Sequence, residues 1–168
     1  MKIFLIGFMG SGKTHCGLLL SRKLNIPFFD LDAQIILNEG KSIIEIFDEK
    51  GEEHFRLLER DALHIITKSH DSFVMACGGG TPCYFNNIDY MSQSGITVWI
   101  NTPFEVLYNR LVLEKELRPL LRGLTNEQIM AFIIKKFADR RIYYEQAEVV
   151  IDEESSNLEQ IVEKIFHA

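Results

Sequence analysis

The sequence predicts an α/β fold in which a parallel sheet is flanked by helices. Short apolar runs alternate with helix-length stretches along the chain, the pattern of repeated strand–helix–strand units. The first run, Ile3-Phe4-Leu5-Ile6, leads into Gly7-Phe8-Met9-Gly10-Ser11-Gly12-Lys13-Thr14. That is G-x-x-x-x-G-K-[ST], a phosphate-cradling loop set between a strand and a helix. The next two strand ends are also chemically loaded, with Asp30-Leu31-Asp32 and Gly78-Gly79-Gly80. In such sheets ligands bind beyond the carboxyl ends of the strands.

Strands are expected at 3–6, 28–30, 73–77, 97–100 and 149–151, each a short run of β-branched, aromatic or other apolar residues. The first helix should run from about Gly12 to Leu24, with Leu18, Leu19 and Leu24 on its buried side. Ser42-Ile43-Ile44-Glu45 is a capping-box pattern that opens a helix. Gly51 reads as its stop, and another helix follows from about Glu53 to Lys68. Pro103 suits the first turn of a helix ending near Leu113. Thr125-Asn126-Glu127-Gln128 is a second capping box, opening a long helix to about Tyr144. A last helix covers about Leu158 to Phe166. Between two helices, Glu114–Thr125 carries Arg118, Pro119, Arg122 and Gly123, the charge and breakers of a mobile flap.

A length of 168 residues fits one domain with a sizeable core. The net charge of -6 leaves no basic stripe to neutralise nucleic-acid phosphates. No apolar run approaches a membrane span, and the first strand begins too early for a signal peptide to precede it. Cys16, Cys77 and Cys83 are odd in number and lack metal-type spacing, so a cytoplasmic protein with free thiols is expected. The five histidines form no triad or metal pattern. His15, directly after the phosphate loop, is expected near a bound nucleotide.

The phosphate loop assigns roles by mechanism. The backbone N–H groups of Gly10, Ser11 and Gly12 face one anion, and the helix behind adds its positive end. Lys13 reaches the β- and γ-phosphates, and the Thr14 hydroxyl ligates Mg²⁺. The chain therefore reads as a binder of ATP or a similar triphosphate. Asp30 and Asp32, two apart on an extended segment, share a face. One carboxylate suits Mg²⁺ through water, and the other suits the acceptor hydroxyl as base or orienter. Asp32 also reads as a helix N-cap before Ala33-Gln34-Ile35, and the two roles are compatible.

Three successive glycines at 78–80 imply a sharp bend or a close approach, best explained by a small ligand resting on bare N–H groups. Arg56 and Glu59 sit at i and i+3, either a braced fork for a substrate carboxylate or a surface ion pair. Arg118 reads as a cation closing over the transferring phosphate or as a solubilising loop charge. Arg110 reads as an adenine stacker or as a complement to its helix dipole. Arg140 and Arg141 read as an anion site or a solvated face.

Taken in order, these segments resemble the shikimate kinase family along nearly the whole chain. The matching residues are 7–14, Phe29–Asp32, Gly40–Ile43, Gly51–Glu59, Gly78–Gly80, Arg118–Leu121, and Arg140 with Tyr144. The resemblance implies a three-layer P-loop NTPase fold with a five-stranded parallel sheet in the order 2-3-1-4-5. It implies one domain over 1–168, with a helical substrate-binding segment at about 31–62 and a mobile lid at about 111–124. The implied reaction is transfer of the ATP γ-phosphoryl, with one Mg²⁺, to the 3-hydroxyl of shikimate, giving shikimate 3-phosphate and ADP on the route to chorismate. By resemblance, Asp32, Arg56, Gly78, Gly79, Gly80 and Arg140 bind shikimate, Glu59 braces Arg56, Arg118 reaches nucleotide phosphate, and Arg110 neighbours adenine. A monomer is the family expectation. Some members carry a proline before the last helix where this chain has Glu153-Glu154-Ser155-Ser156-Asn157, so the resemblance assigns no adenine contact there.

Two rivals share part of this pattern. A kinase for another sugar acid, such as gluconate, would use the loop and an acid-binding arginine. It offers no separate account of Asp30-Leu31-Asp32 with the glycine triplet. A nucleotide-dependent switch is suggested by Asp48-Glu49-Lys50-Gly51, but no N-K-x-D guanine reader accompanies it.

Overall fold

The computed structural model describes residues 1–152 and 156–168. Five parallel strands form one sheet: β1 (Lys2–Ile6), β2 (Phe28–Asp30), β3 (Phe73–Ala76), β4 (Ile96–Asn101) and β5 (Val149–Asp152). Their order is β2-β3-β1-β4-β5. Around them lie α1 (Lys13–Leu24), α2 (Leu31–Glu39), α3 (Ile43–Ser69), α4 (Asn87–Ser94), α5 (Phe104–Glu114), α6 (Asn126–Tyr144) and α7 (Leu158–Phe166). Short 3₁₀ turns occupy Thr81–Cys83 and Lys115–Leu117. The expected fold class and strand order are both present.

The alternation within β1 divides the core. Phe4 and Ile6 join one fully buried cluster with Leu31, Leu63, Phe73 and Tyr144. Ile3 and Leu5 join a second on the opposite face with Leu20, Val74, Val98 and Ile165. A central parallel strand covered on both faces has no polar side, so its sequence is continuously apolar. The edge strand β5 buries only Val149 and Ile151.

Several local readings are refined. Both expected capping boxes form: Glu45 N–H donates to Ser42 Oγ at 3.2 Å and Ser42 N–H to Glu45 Oε2 at 2.7 Å. The Thr125–Gln128 pair does the same. Gly51 ends the first helical stretch of α3 as expected; its φ of 80° and ψ of 172° separate that stretch from the second. Pro103 stands one position earlier than expected, as the N-cap of α5. In α1 the expectation for Leu18 fails, since it is 39% exposed. The helix instead buries Gly17 and Leu20. Gly17 lets the helix approach β2, because a Cβ there would lie 2.4 Å from the Phe28 ring. Helix α2 follows Asp30, where a capped helix is one reading of the sequence, and α4 is an addition to the elements expected from sequence.

Gly95 joins α4 to β4 with its backbone against β1; a Cβ would lie 2.3 Å from the Lys2 carbonyl oxygen. Backbone cannot retreat as a side-chain tip can. Gly95→Ala is therefore expected to cost about 1–3 kcal/mol of stability, read from urea denaturation. An unchanged midpoint would show that the start of β1 yields.

Candidate active site

The phosphate loop bridges β1 and α1. Gly7, Gly10 and Gly12 all have positive φ, at 142°, 78° and 87°, conformations that side chains resist. The loop is pinned from three directions: Ser11 N–H donates to Phe8 O at 3.2 Å, Thr102 Oγ1 to Ser11 O at 3.1 Å, and Arg110 Nη1 to Gly10 O at 2.9 Å. Arg110 thus lies over the loop, at the wall of a cleft of about 780 Å³ that His15 and Thr14 also line.

Lys13 is buried and curls back on the loop, donating to Gly7 O and Phe8 O at 2.8 Å and to Ser11 Oγ at 3.2 Å. Burial, and then the charge of Arg118, push its pKa down to about 7. A cation so weakly solvated is well placed to exchange carbonyl partners for a phosphate.

The aspartates divide their work differently from the sequence reading. Asp30 ends β2 and is itself the N-cap of α2, accepting from Ala33 N–H at 3.2 Å through Oδ1. Its Oδ2 accepts from Thr14 Oγ1 at 2.9 Å. Asp32 is not the cap; it lies in the first turn of α2, so the two do not share an extended segment. The helix begins at the residue directly after the strand, and that abrupt junction moves the cap to Asp30. Asp32 Oδ1 is buried without a hydrogen-bond partner among the described residues. Burial, then repulsion from Glu59 and Asp30, push its pKa up to about 6.

A second cavity, of about 120 Å³, adjoins the cleft. Arg56 and Glu59, on the second stretch of α3, form one wall. Glu59 has no exposed surface; it accepts from Arg56 Nη1 at 3.0 Å and from Thr81 Oγ1 at 2.6 Å. The surface-pair alternative for Arg56 is thereby excluded, since its side chain is 5% exposed. Arg140 of α6 is buried opposite Phe8, with Nη1 lacking a partner among the described residues. Arg141 beside it is exposed and pairs with Glu145 at 2.5 Å, so the two neighbouring arginines separate into a site residue and a surface one.

The glycine triplet is explained by these side chains. A Cβ at Gly78 would lie 2.6 Å from Glu59 Oε1, at Gly79 3.1 Å from Arg140 Nη1, and at Gly80 2.7 Å from the Arg56 guanidinium. The close approach expected of a ligand is thus made first by the protein's own charged groups. Tyr144 Oη adds a bond to Gly79 O at 2.6 Å.

Leu117, Arg118, Pro119 and Leu120, from the segment read as a flap, cover this cavity. Arg118 donates to Glu114 Oε2 from Nε at 3.0 Å and from Nη2 at 2.6 Å. Arg122, later in the same segment, pairs with Asp48 of α3 at 2.8 Å. Leu111, the expected start of the lid, is fully buried on α5. Five residues line both spaces: Met9, Asp32, Gly78, Gly79 and Arg118. Two chambers with a common wall of one carboxylate, one guanidinium and bare backbone suit transfer of an anionic group from one to the other.

Sequence reasoning missed Glu52, Thr81 and Tyr84. Glu52 accepts from Arg56 Nη2 at 3.1 Å, and its i−4 spacing carried that signal. Thr81 and Tyr84 carried none, because their contacts depend on the path of a loop. Glu153, Glu154 and Ser155 of the adenine-loop reading lie outside the described residues. Among the described residues no cluster of three or more His, Cys, Asp or Glu side chains suits a metal ion, and no helix is long and apolar enough to cross a membrane.

Comparison with known proteins agrees with this geometry. A family model described as shikimate kinase matches residues 9–168. The shikimate kinase of Bacteroides thetaiotaomicron is 41% identical over 152 residues, covering 90% of this chain and 86% of that protein. That of Azobacteroides pseudotrichonymphae is 39% identical over 165 residues, covering 98% and 97%. Among solved structures, a shikimate kinase from Bacteroides thetaiotaomicron superposes with a TM-score of 0.87 at 39% identity, covering 99% of this chain and 95% of that one. A shikimate kinase from Acinetobacter baumannii in complex with shikimate gives 0.84 at 32% identity, covering 99% and 90%. By family model, sequence and structure together, the chain belongs to the shikimate kinase family.

Proposed function

We propose that this protein transfers the γ-phosphoryl group of ATP to the 3-hydroxyl of shikimate. The observation that carries the reading is the common wall of the two chambers, where Asp32 and Arg118 face both spaces. ATP would lie in the larger cleft, its phosphates on the N–H groups of Gly10, Ser11 and Gly12, with His15 and Arg110 at the cleft wall. Shikimate would fill the smaller one, its carboxylate between Arg56 and Arg140, whose unpartnered Nη1 supports an anion there.

In the transfer, the acceptor oxygen forms a bond to the γ-phosphorus while the bond to the bridging oxygen breaks and ADP leaves. The hydroxyl proton passes to Asp32, which also aims the oxygen. Lys13 and Arg118 neutralise the transferring group, and the lid over Leu117–Leu120 excludes water that would otherwise accept it. Asp30 and Thr14, already joined at 2.9 Å, have the hard oxygen donors that Mg²⁺ requires. Mg²⁺ bound with ATP supplies charge neutralisation at the phosphates. The reading extends to a monomer, the family expectation, and to the cytoplasm, where ATP is at hand.

A coupled ADP-release assay with shikimate, with gluconate and with no acceptor tests the whole reading. ADP release should depend on shikimate; equal release with gluconate, or release without any acceptor, would overturn it. Lys13→Ala and Arg118→Ala should lower kcat by about 10²-fold or more. Arg56→Ala and Arg140→Ala should act mainly on the KM for shikimate, and a loss confined to kcat would contradict the carboxylate grip. The pH profile follows from Asp32 and Lys13. Asp32 must be ionised, so kcat/KM for shikimate should fall as pH drops below about 6. Lys13 must be protonated, so kcat/KM for ATP should fall above about 7. Asp32→Asn should lower kcat by about 10²–10⁴-fold and remove the acid limb; near-normal turnover would strip Asp32 of its role.

A further inference from the structure

Arg56 is confined more tightly than its two carboxylates explain. Glu59 takes Nη1 and Glu52 takes Nη2. Gly80 lets the guanidinium lie against the backbone, since a Cβ there would be 2.7 Å from Cζ, Nη1 and Nη2 alike. The ring of Tyr84 stands over the same group, its centroid 4.5 Å from Cζ. The Tyr84 hydroxyl donates to Glu52 Oε1 at 3.3 Å, the oxygen that also accepts from Arg56.

The loop that delivers Tyr84 is strained. Phe85 and Asn86, the next two residues, have φ of 51° and 55°. A bulky aromatic side chain is rarely found there, and such conformations persist where the surroundings impose them. Asn87 N–H donates to Tyr84 O at 2.9 Å, and the buried Asn87 side chain donates to Thr81 O at 2.9 Å. The outcome is two adjacent rings on two arginines one helical turn apart: Tyr84 on Arg56, and Phe85 on Arg60 at 5.2 Å.

An aromatic ring offers something a third carboxylate would not. It attracts the guanidinium through its face without adding net negative charge, so it does not repel an incoming acid. It also fixes the plane of the fork, which decides whether two N–H groups meet a carboxylate together. We propose that Tyr84 is a positioning residue for acid recognition, its ring holding Arg56 in the plane that grips the acceptor carboxylate while its hydroxyl holds Glu52 at the fork's edge. This rests on the reading of Arg56 as the carboxylate grip.

Steady-state kinetics on wild type, Tyr84→Phe, Tyr84→Leu and Tyr84→Gln, with thermal unfolding of each, provide the test. The ringless variants should raise the KM for shikimate about five- to tenfold, in the range of a partly desolvated cation–π contact. Their kcat and KM for ATP should stay within about twofold of wild type, well inside the effect of losing that contact. Tyr84→Phe keeps the ring and loses only the long hydroxyl bond to Glu52, so its KM for shikimate should rise by about twofold at most. A wild-type protein that ignores shikimate would sink the functional reading and this proposal with it. A responsive wild type with an unchanged KM in the ringless variants would sink this proposal alone. So would a Tyr84→Phe variant as impaired as Tyr84→Leu, a parallel loss in every constant, or failure of both ringless variants to fold.

Discussion

The parallel pairing of β1 with β3 is the constraint on which the site depends. Leu5 pairs with Ala76, so both strands end at the same edge. Their following loops, the phosphate loop and the glycine triplet, must then run side by side. They touch: a Cβ on Gly79 would lie 3.0 Å from Met9 N. With β2 on the far side of β3, Asp30 and Asp32 arrive at the same rim. Gly78 and Gly79 keep bare backbone in the wall shared by the two chambers, which leaves room for a phosphoryl group to pass between them.

The same rim concentrates charge away from water. Lys13, Arg56, Glu59 and Arg140 are all buried, and each such ion costs several kcal/mol to desolvate unless it is well paired. Glu59 recovers part of that cost from Arg56 and Thr81. Asp32 Oδ1 and Arg140 Nη1 do not. A fold that leaves a carboxylate oxygen and a guanidinium nitrogen unsatisfied around one cavity is less stable than one that pairs them, and keeps those polar atoms free to meet a ligand under the proposed function. The shifts of Asp32 and Lys13 are consequences of that burial, and the proposed transfer takes its expected pH window from them.

The sequence is most legible where physics is local. The phosphate loop is contiguous, the capping boxes span four residues, and Arg56 with Glu59 lies within one helical turn. Each of these can be read from neighbouring residues alone. Non-local packing cannot. Three glycines in a row announce a close approach, but only the fold shows that Glu59, Arg140 and Arg56 make it. Leu18 departs from its expected burial because α1 makes its tightest contact through Gly17, a residue that apolar periodicity ignores. The cap moves from Asp32 to Asp30 because a strand-to-helix junction without a linker cannot be located to one residue by pattern. Tyr84 leaves no signal because its ring reaches Arg56 across 28 positions, beside a left-handed turn at Phe85 and Asn86 that no spacing rule predicts.

The central claim is that two ligands meet end to end at Asp32. A crystal structure of the protein with shikimate and a non-hydrolysable ATP analogue measures this directly. The account predicts one ring hydroxyl within about 3–3.5 Å of the γ-phosphorus, in line with its bridging oxygen, with Asp32 in hydrogen-bond contact with that hydroxyl. A ring bound away from Arg56 and Arg140, or a hydroxyl turned from Asp32 with the lid between it and the phosphate, would contradict it.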